Sequence, residues 1–142
     1  MKRLLVRSTT LLLALVLLFG LVACATVDAT GLWENATYRR DMTFGKGDKV
    51  ISVEVAAGEE AITFTIKTDK ETVGAALLEH ELIAGEEGPY GLYIKAVNGM
   101  TADYDVDHSY WAFYIDGEYA MTGIDGTAID ESAVYRLAYE RG

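Results

Sequence analysis

Apolar and polar residues alternate strictly in two segments, 51–55 and 62–66, and this period of two is typical of β-strands. Residues 37–44 and 49–55 flank a glycine-rich turn, which predicts that they pair as a β-hairpin. The same criteria predict the remaining strands at 92–97, 110–115, 118–121 and 134–140, with tight turns at Asn98-Gly99 and Asp116-Gly117. The chain is therefore expected to be rich in β-structure.

The period changes to that of a helix after residue 67. Residues 68–71, Thr-Asp-Lys-Glu, fit a capping box, and a helical face follows that comprises Val73, Ala76, Leu77 and His80. We expect one helix of about three turns, ended by a loop at 85–89 that contains the only proline. Strands, one helix and further strands predict an α+β fold, in which a mainly antiparallel sheet packs on a single helix.

The first 23 residues have the layout of an export signal. Lys2, Arg3 and Arg7 precede an apolar run at 11–18, and small residues follow up to Cys24. A membrane-spanning helix is the weaker interpretation, because the run is too short to cross about 30 Å of hydrocarbon comfortably. We therefore expect a signal peptide over residues 1–23, which is left out of the fold.

Residues 21–24, Leu-Val-Ala-Cys, resemble a bacterial lipobox. The resemblance implies cleavage before Cys24 and attachment of lipid to its sulfur. Residues 24–36 then form a lipidated tether, and residues 37–142 form a domain held at the outer face of the cell membrane. Because Cys24 is the only cysteine, neither a disulfide nor a cysteine nucleophile is expected in the domain.

Charge argues against a nucleic-acid partner. The full chain has 12 basic and 22 acidic residues, and removal of Lys2, Arg3 and Arg7 leaves nine basic residues against 22 acidic ones, a formal charge of −13. Nucleic-acid binding relies on basic patches that neutralise phosphates. The acidity also means that the lipid, rather than the protein surface, must hold the domain to anionic headgroups.

Residue types that carry catalysis or bind metal are scarce. His80 is expected to be a structural residue of the helix, and His108 has no neighbours at zinc-site spacing. Asp103, Asp105 and Asp107 alternate as in an EF-hand, but that motif needs glycine at its sixth position and glutamate at its twelfth, and neither is present. We expect a solvated turn there, no metal site and no enzymatic activity.

Aromatic residues crowd into one part of the chain. On a strand over 110–115, Trp111 and Phe113 point to one face while Tyr110 and Tyr114 point to the other. Two interpretations stay open: both rows are structural, or the second row joins other tyrosines in an exposed platform for an apolar or planar ligand. The candidate ligand-binding residues are Tyr90, Tyr93, Tyr104, Tyr110, Trp111 and Tyr114.

Several segments resemble the transcobalamin C-terminal-like domain found in many bacterial lipoproteins. The resemblance extends over about residues 50–140, and its most specific part is the Tyr110-Trp111 pair followed by Asp116-Gly117. It is carried by the segments 72–78, 88–94, 98–99, 110–117, 119–123 and 134–137. This resemblance implies a β-grasp-like α+β fold.

The resemblance also implies a function. In the vertebrate cobalamin carriers this domain closes around the vitamin together with a helical barrel, which the present chain lacks. It implies a binding module that captures cobalamin or a similar bulky small molecule for uptake, without a cofactor. A membrane importer or a second ligand-clamping protein would then be a partner. The alternative is an extracellular protein-interaction or adhesion module.

Overall fold

A computed structural model describes residues 29–142, so the predicted signal peptide and Cys24 lie outside the described residues. Two sheets and a few short helices make up this part of the chain. The helices are α1 (Thr30–Trp33), α2 (Val73–Glu79) and α3 (Tyr104–Asp107), with one 3-10 turn at Ile124–Gly126. The strands are β1 (Met42–Phe44), β2 (Lys49–Ala57), β3 (Glu60–Thr68), β4 (Ile83–Gly88), β5 (Gly91–Val97), β6 (Met100–Thr101), β7 (Ser109–Ile115), β8 (Glu118–Tyr119) and β9 (Val134–Arg141).

The larger sheet has six strands in the order β1-β3-β2-β9-β7-β8, and the smaller has three in the order β4-β5-β6. Within the larger sheet, β1 with β3 and β2 with β9 are parallel pairs, and the other pairs are antiparallel. The sheet is thus mixed, and the second sheet was not predicted. A mostly β structure with few short helices is consistent with the predicted α+β class.

The hairpin predicted between residues 37–44 and 49–55 is wrong. β1 instead pairs in parallel with β3, with Met42 opposite Phe64. Phe44 packs edge-on against Phe64, with ring centroids 5.3 Å apart, and Tyr38 contacts both rings. This aromatic packing favours β3 as the neighbour of β1, so the glycine-rich segment crosses the end of β3 rather than forming a tight turn.

The main helix begins later than predicted. Thr72 caps it, because its hydroxyl accepts a hydrogen bond from the Ala75 backbone N–H at 3.2 Å. Thr68 lies instead at the end of β3, where its buried hydroxyl accepts from the Lys70 N–H and donates to Glu79. The helix is therefore seven residues long. Its predicted core face is confirmed at Val73, Ala76 and Leu77, which are buried, whereas His80 follows the helix as its C-cap.

Residues 85–88, predicted as a loop, belong to strand β4. They pair antiparallel with β5, and the register shifts between Ala84 and Gly85. A side chain at Gly85 would collide with the Tyr93 carbonyl oxygen. The glycine therefore permits the close approach of two backbones at an irregularity of the sheet, rather than marking a loop.

The core is formed by residues of both sheets, of α2 and of the 3-10 turn, and it continues to the N-terminal end of the described chain. Its most deeply buried large side chains include Phe64, Leu77 and Tyr135. Ala29 and Trp33 are also buried, and the Trp33 indole N–H donates to the Ala57 carbonyl at 2.9 Å. Part of the segment predicted as a tether is thus packed against the domain.

Among the helices of residues 29–142, none has the length and hydrophobicity needed to cross a bilayer.

Candidate ligand-binding cleft

A cleft opens where the chain leaves the edge of the larger sheet. Strand β8 pairs with β7 at Tyr114 and Ile115, and the Ala120 N–H still donates to the Phe113 carbonyl at 2.9 Å. Beyond Ala120 the chain departs from β7 and runs towards β5. The space between has a volume of about 250 Å³. It is lined by Tyr90, Leu92, Tyr93, Ile94, Tyr110, Trp111, Phe113, Tyr119, Ala120, Met121, Thr122, Gly123 and Ile124.

Trp111 forms part of the wall and also belongs to the core. Its side chain is 6% exposed, and its indole N–H donates to the Met100 carbonyl at 3.0 Å. Tyr139 packs edge-on against it, with ring centroids 5.6 Å apart. The predicted alternation is confirmed, because Trp111 and Phe113 are buried whereas Tyr110 and Tyr114 are only partly buried. Trp111 therefore joins the wall of the cleft to the packed core.

Asp125 fixes the opposite wall. Its carboxylate accepts a hydrogen bond from the Leu92 N–H at 3.0 Å, which ties the 3-10 turn to the start of β5. A Cβ at Gly91 would lie 2.6 Å from this carboxylate, and a Cβ at Gly123 would lie 2.9 Å from it. Gly91 also has φ +105°, a conformation that favours glycine. The two glycines thus make room for the carboxylate that holds this wall together.

The rim of the cleft carries large exposed side chains. Tyr90 and Met121 are each 95% exposed, and Tyr93 and Tyr119 are about half exposed or more. The Lys95 ammonium lies 5.5 Å from the centroid of the Tyr93 ring. Apolar side chains with this degree of exposure, gathered around one opening, are typical of a surface that binds a partner or ligand.

Tyr114 lies on the outer face of the larger sheet rather than in the cleft. Its hydroxyl donates to Glu140 at 2.6 Å, and the Tyr110 hydroxyl donates to the same carboxylate at 3.1 Å. In the sheet, Glu140 is opposite Tyr110, whereas Tyr114 is opposite Arg136. To reach Glu140, the Tyr114 side chain must therefore extend along β7 towards Tyr110. It thereby passes over Ala112, which is 1% exposed although it faces outwards.

The shared carboxylate perturbs both tyrosines. Its hydrogen bond is the main cause that raises the pKa of Tyr114 to about 12, with burial contributing. For Tyr110, burial is the larger cause and the bond to Glu140 the second, and together they raise its pKa above the usual value. Both phenols therefore ionise at higher pH than an exposed tyrosine would.

The structure divides the six predicted ligand-binding residues. Tyr90, Tyr93, Tyr110 and Trp111 line the cleft, whereas Tyr104 and Tyr114 do not. Tyr104 stacks on His108, with ring centroids 4.9 Å apart. Tyr119 and Met121 were missed. Tyr119 follows the Asp116-Gly117 turn and faces Tyr114 across the hairpin, so the predicted pairing could have identified it.

The alternating aspartates form the capping contacts of α3. The Asp103 carboxylate accepts from the Asp105 N–H at 3.1 Å, and Asp107 accepts from both the hydroxyl and the N–H of Ser109. The Ser109 hydroxyl is the main cause that lowers the pKa of Asp107. In residues 29–142, no three potential ligands are grouped so as to hold a metal ion.

Residues 70–140 match the family described as Domain of unknown function (DUF4430). The chain belongs to the DUF4430 family. A crystal structure of a candidate metal-binding protein from Ruminococcus gnavus is similar, with 31% identity and a TM-score of 0.63. That similarity covers 67% of the present chain and 99% of the Ruminococcus protein. No curated protein matches the chain.

The fold of this DUF4430 chain is also similar to part of haptocorrin, solved in complex with Cbi. The identity is 18% and the TM-score 0.53, over 69% of the present chain. The match spans only 26% of haptocorrin. These similarities support the transcobalamin C-terminal-like fold that the sequence resemblance predicted.

Proposed function

We propose that this DUF4430 chain is a binding module that captures a small molecule in the cleft between β5, β7 and residues 119–124, without catalysing a reaction. The observation that carries the proposal is a cleft with an aromatic wall that is packed into the core and an exposed aromatic rim. The solved complex of haptocorrin with Cbi supports cobalamin, or a similarly bulky molecule, as the first ligand to test.

The size of the cleft indicates how such a ligand would be held. Pockets that enclose most of a drug-sized ligand have volumes of about 300–1,000 Å³. At about 250 Å³, this cleft covers only an edge of a bulky molecule. A second ligand-clamping protein, or the importer that receives the ligand, would cover the remainder and contact the exposed Tyr90 and Met121.

The proposed place of action is the outer face of the cell membrane. In this proposal the signal peptide is removed and lipid on Cys24 holds the domain there, with residues 25–28 as the link to the packed chain. Mass spectrometry of the membrane-extracted protein tests this arrangement. A diacylglyceryl mass on an N-terminal Cys24 peptide, lost in Cys24→Ser, is the expected result, and an unmodified peptide beginning at Met1 would contradict it.

Methyl NMR tests ligand capture directly, because the methionines report from different places. Met121 lines the cleft, whereas Met42 lines a separate groove with Thr37, Tyr38, Arg39 and Arg40. We expect titration of the full chain, in a nonionic detergent, with cobalamin to shift the Met121 methyl resonance and leave Met42 unchanged. Tyr104→Leu, outside the cleft, should bind as the original chain does. Equal shifts at both methyls, or none, would contradict capture in the cleft.

A protein-interaction module is the second candidate. The 95% exposure of Tyr90 and Met121 favours it, because exposed apolar side chains beside a cleft often anchor a protein partner. Cross-linking in cells from a photoreactive residue at position 121 would then give one defined adduct without any added small molecule. An adduct that forms only when ligand is present would favour the clamp described above.

A further inference from the structure

We infer that the cleft selects organic cations, in particular ligands that present a quaternary ammonium or a similarly diffuse positive group. The inference rests on the proposed function, since it takes the cleft to be the binding site. It adds the chemical class of the group that the cleft receives.

The walls are aromatic and uncharged. Of the 13 residues that line the cleft, six are aromatic and none is charged. Aromatic faces attract cations through the ring quadrupole. Because the side-chain acceptors of the lining are neutral hydroxyl groups and none is a carboxylate, a primary ammonium would recover only part of the hydration that it loses. A quaternary ammonium has no N–H donors to satisfy, so it loses much less on entering.

Negative charge surrounds this uncharged lining. Between Glu81 and Glu131, both included, Lys95 is the only lysine or arginine, against eleven aspartates and glutamates. Several of these acids are directly linked to the cleft: Glu118 precedes Tyr119, Glu86 is opposite Tyr93, and Asp125 binds the Leu92 N–H. The field of these carboxylates favours cationic over neutral or anionic ligands at the opening.

One contact within the protein strengthens the inference. At the rim, the Lys95 ammonium already lies 5.5 Å from the Tyr93 ring centroid, within the range of a cation–π contact. The Tyr93 ring, at the rim of the cleft, thus already contacts the cationic side chain of Lys95.

Choline and its uncharged isostere 3,3-dimethylbutan-1-ol provide a matched pair of probes, because they differ in charge but hardly in shape. Titration of the full chain, in a nonionic detergent, is followed at the Met121 methyl with Met42 as internal control. We expect choline to bind about 5- to 30-fold more tightly than the isostere, the ratio that a cation–π contact provides. Equal affinities would overturn the inference.

Tyr93 offers a variant pair that separates the ring from the hydroxyl. It lines the cleft and is 47% exposed, so substitution should leave the fold intact, as an unchanged Met42 resonance would show. Tyr93→Leu should abolish most of the preference for choline, and Tyr93→Phe should retain it. Tyr104→Leu removes an exposed tyrosine outside the cleft and should change nothing. Loss of the preference in Tyr104→Leu, but not in Tyr93→Leu, would overturn the inference.

The result with cobalamin distinguishes the two proposals. If cobalamin shifts Met121 while choline and its isostere bind equally, the cleft is a binding site and only the cation preference is wrong. If none of the three shifts Met121, both proposals fail. Glu118→Gln provides a further check, because it should weaken choline binding without affecting the isostere.

Discussion

In the β2–β3 hairpin, Phe64 is fully buried and packs edge-on against the rings of Tyr38 and Phe44. Around the cleft, by contrast, Tyr93 and Tyr119 are about half exposed or more, and only Trp111 and Phe113 reach the core. Phe64 of the hairpin and the rings of Tyr38 and Phe44 that pack on it close the interior, whereas the cleft region divides its aromatic rings between the interior and a free surface. The comparison indicates that clustering of aromatic residues does not by itself identify a site; their exposure beside an opening does.

The largest effect that would test this comparison is on stability. Phe64→Ala removes a fully buried ring, so we expect the free energy of unfolding to fall by about 3–5 kcal/mol. Tyr119→Ala, at the exposed rim, should change it by only about 0.5 kcal/mol. Denaturant unfolding followed by circular dichroism measures both. Similar losses in the two variants would show that the rim is as important to the fold as the hairpin.

A second test concerns the junction between the N-terminal segment and the smaller sheet. The Asn98 side chain is 1% exposed, donates to the Tyr38 carbonyl at 2.7 Å and accepts from the Tyr38 N–H at 2.9 Å. Asn98→Ala leaves both groups without these partners, and we expect a loss of about 2–3 kcal/mol in unfolding free energy. Asn35→Ala, at an exposed position, serves as the control and should unfold like the original chain.

A third test separates the shape of the cleft from the stability of the fold. Asp125→Ala removes the acceptor of the Leu92 N–H, so we expect about 1 kcal/mol of destabilisation. The wall formed by Tyr90 and Gly123 should loosen, and cobalamin affinity should fall by about tenfold, which corresponds to about 1.4 kcal/mol. Calorimetric titration measures the affinity. The exposed aspartate variant Asp48→Ala, away from the cleft, controls for the lost charge, and an equal loss of affinity there would contradict a role in shape.

The smallest effect is expected at high pH. The pKa of Tyr114 is raised to about 12 in the folded protein and lies near 10 in an unfolded chain. A raised folded-state pKa means that the stabilisation is complete below about pH 10 and is lost as pH rises from there towards 12. Glu140→Gln should move Tyr114 ionisation, measured by ultraviolet absorbance, to lower pH. Arg136→Gln should not lower it, since Arg136 slightly opposes the shift.

Local patterns predicted the elements of the fold better than their arrangement. The alternation at Ile51, Val53 and Val55 is confirmed, because each of these residues is at most 1% exposed. The position of β1 could not be predicted, because parallel pairing with β3 depends on distant aromatic packing rather than on the turn that follows β1. Likewise, the sequence around Gly85 predicts a loop, because the reason for this glycine, the close approach of the Tyr93 backbone, lies in the neighbouring strand.

The same limit applies to the site. The aromatic cluster led to four residues of the cleft, because strand alternation and proximity in sequence bring them together. It could not exclude Tyr114, whose direction depends on the hydrogen bond to Glu140 in another strand. Nor could it reveal that the chain leaves β7 after Ala120, which is what creates the opening.

The last strand of the chain occupies the centre of the larger sheet. β9 lies between β2, which precedes the helix, and β7, which follows it. The two halves of that sheet therefore meet only through β9. Because Ser52 of β2 pairs with Val134 of β9 across more than 80 residues of chain, the sheet is completed only by a contact of high sequence separation, which is expected to make its closure a slow step of folding.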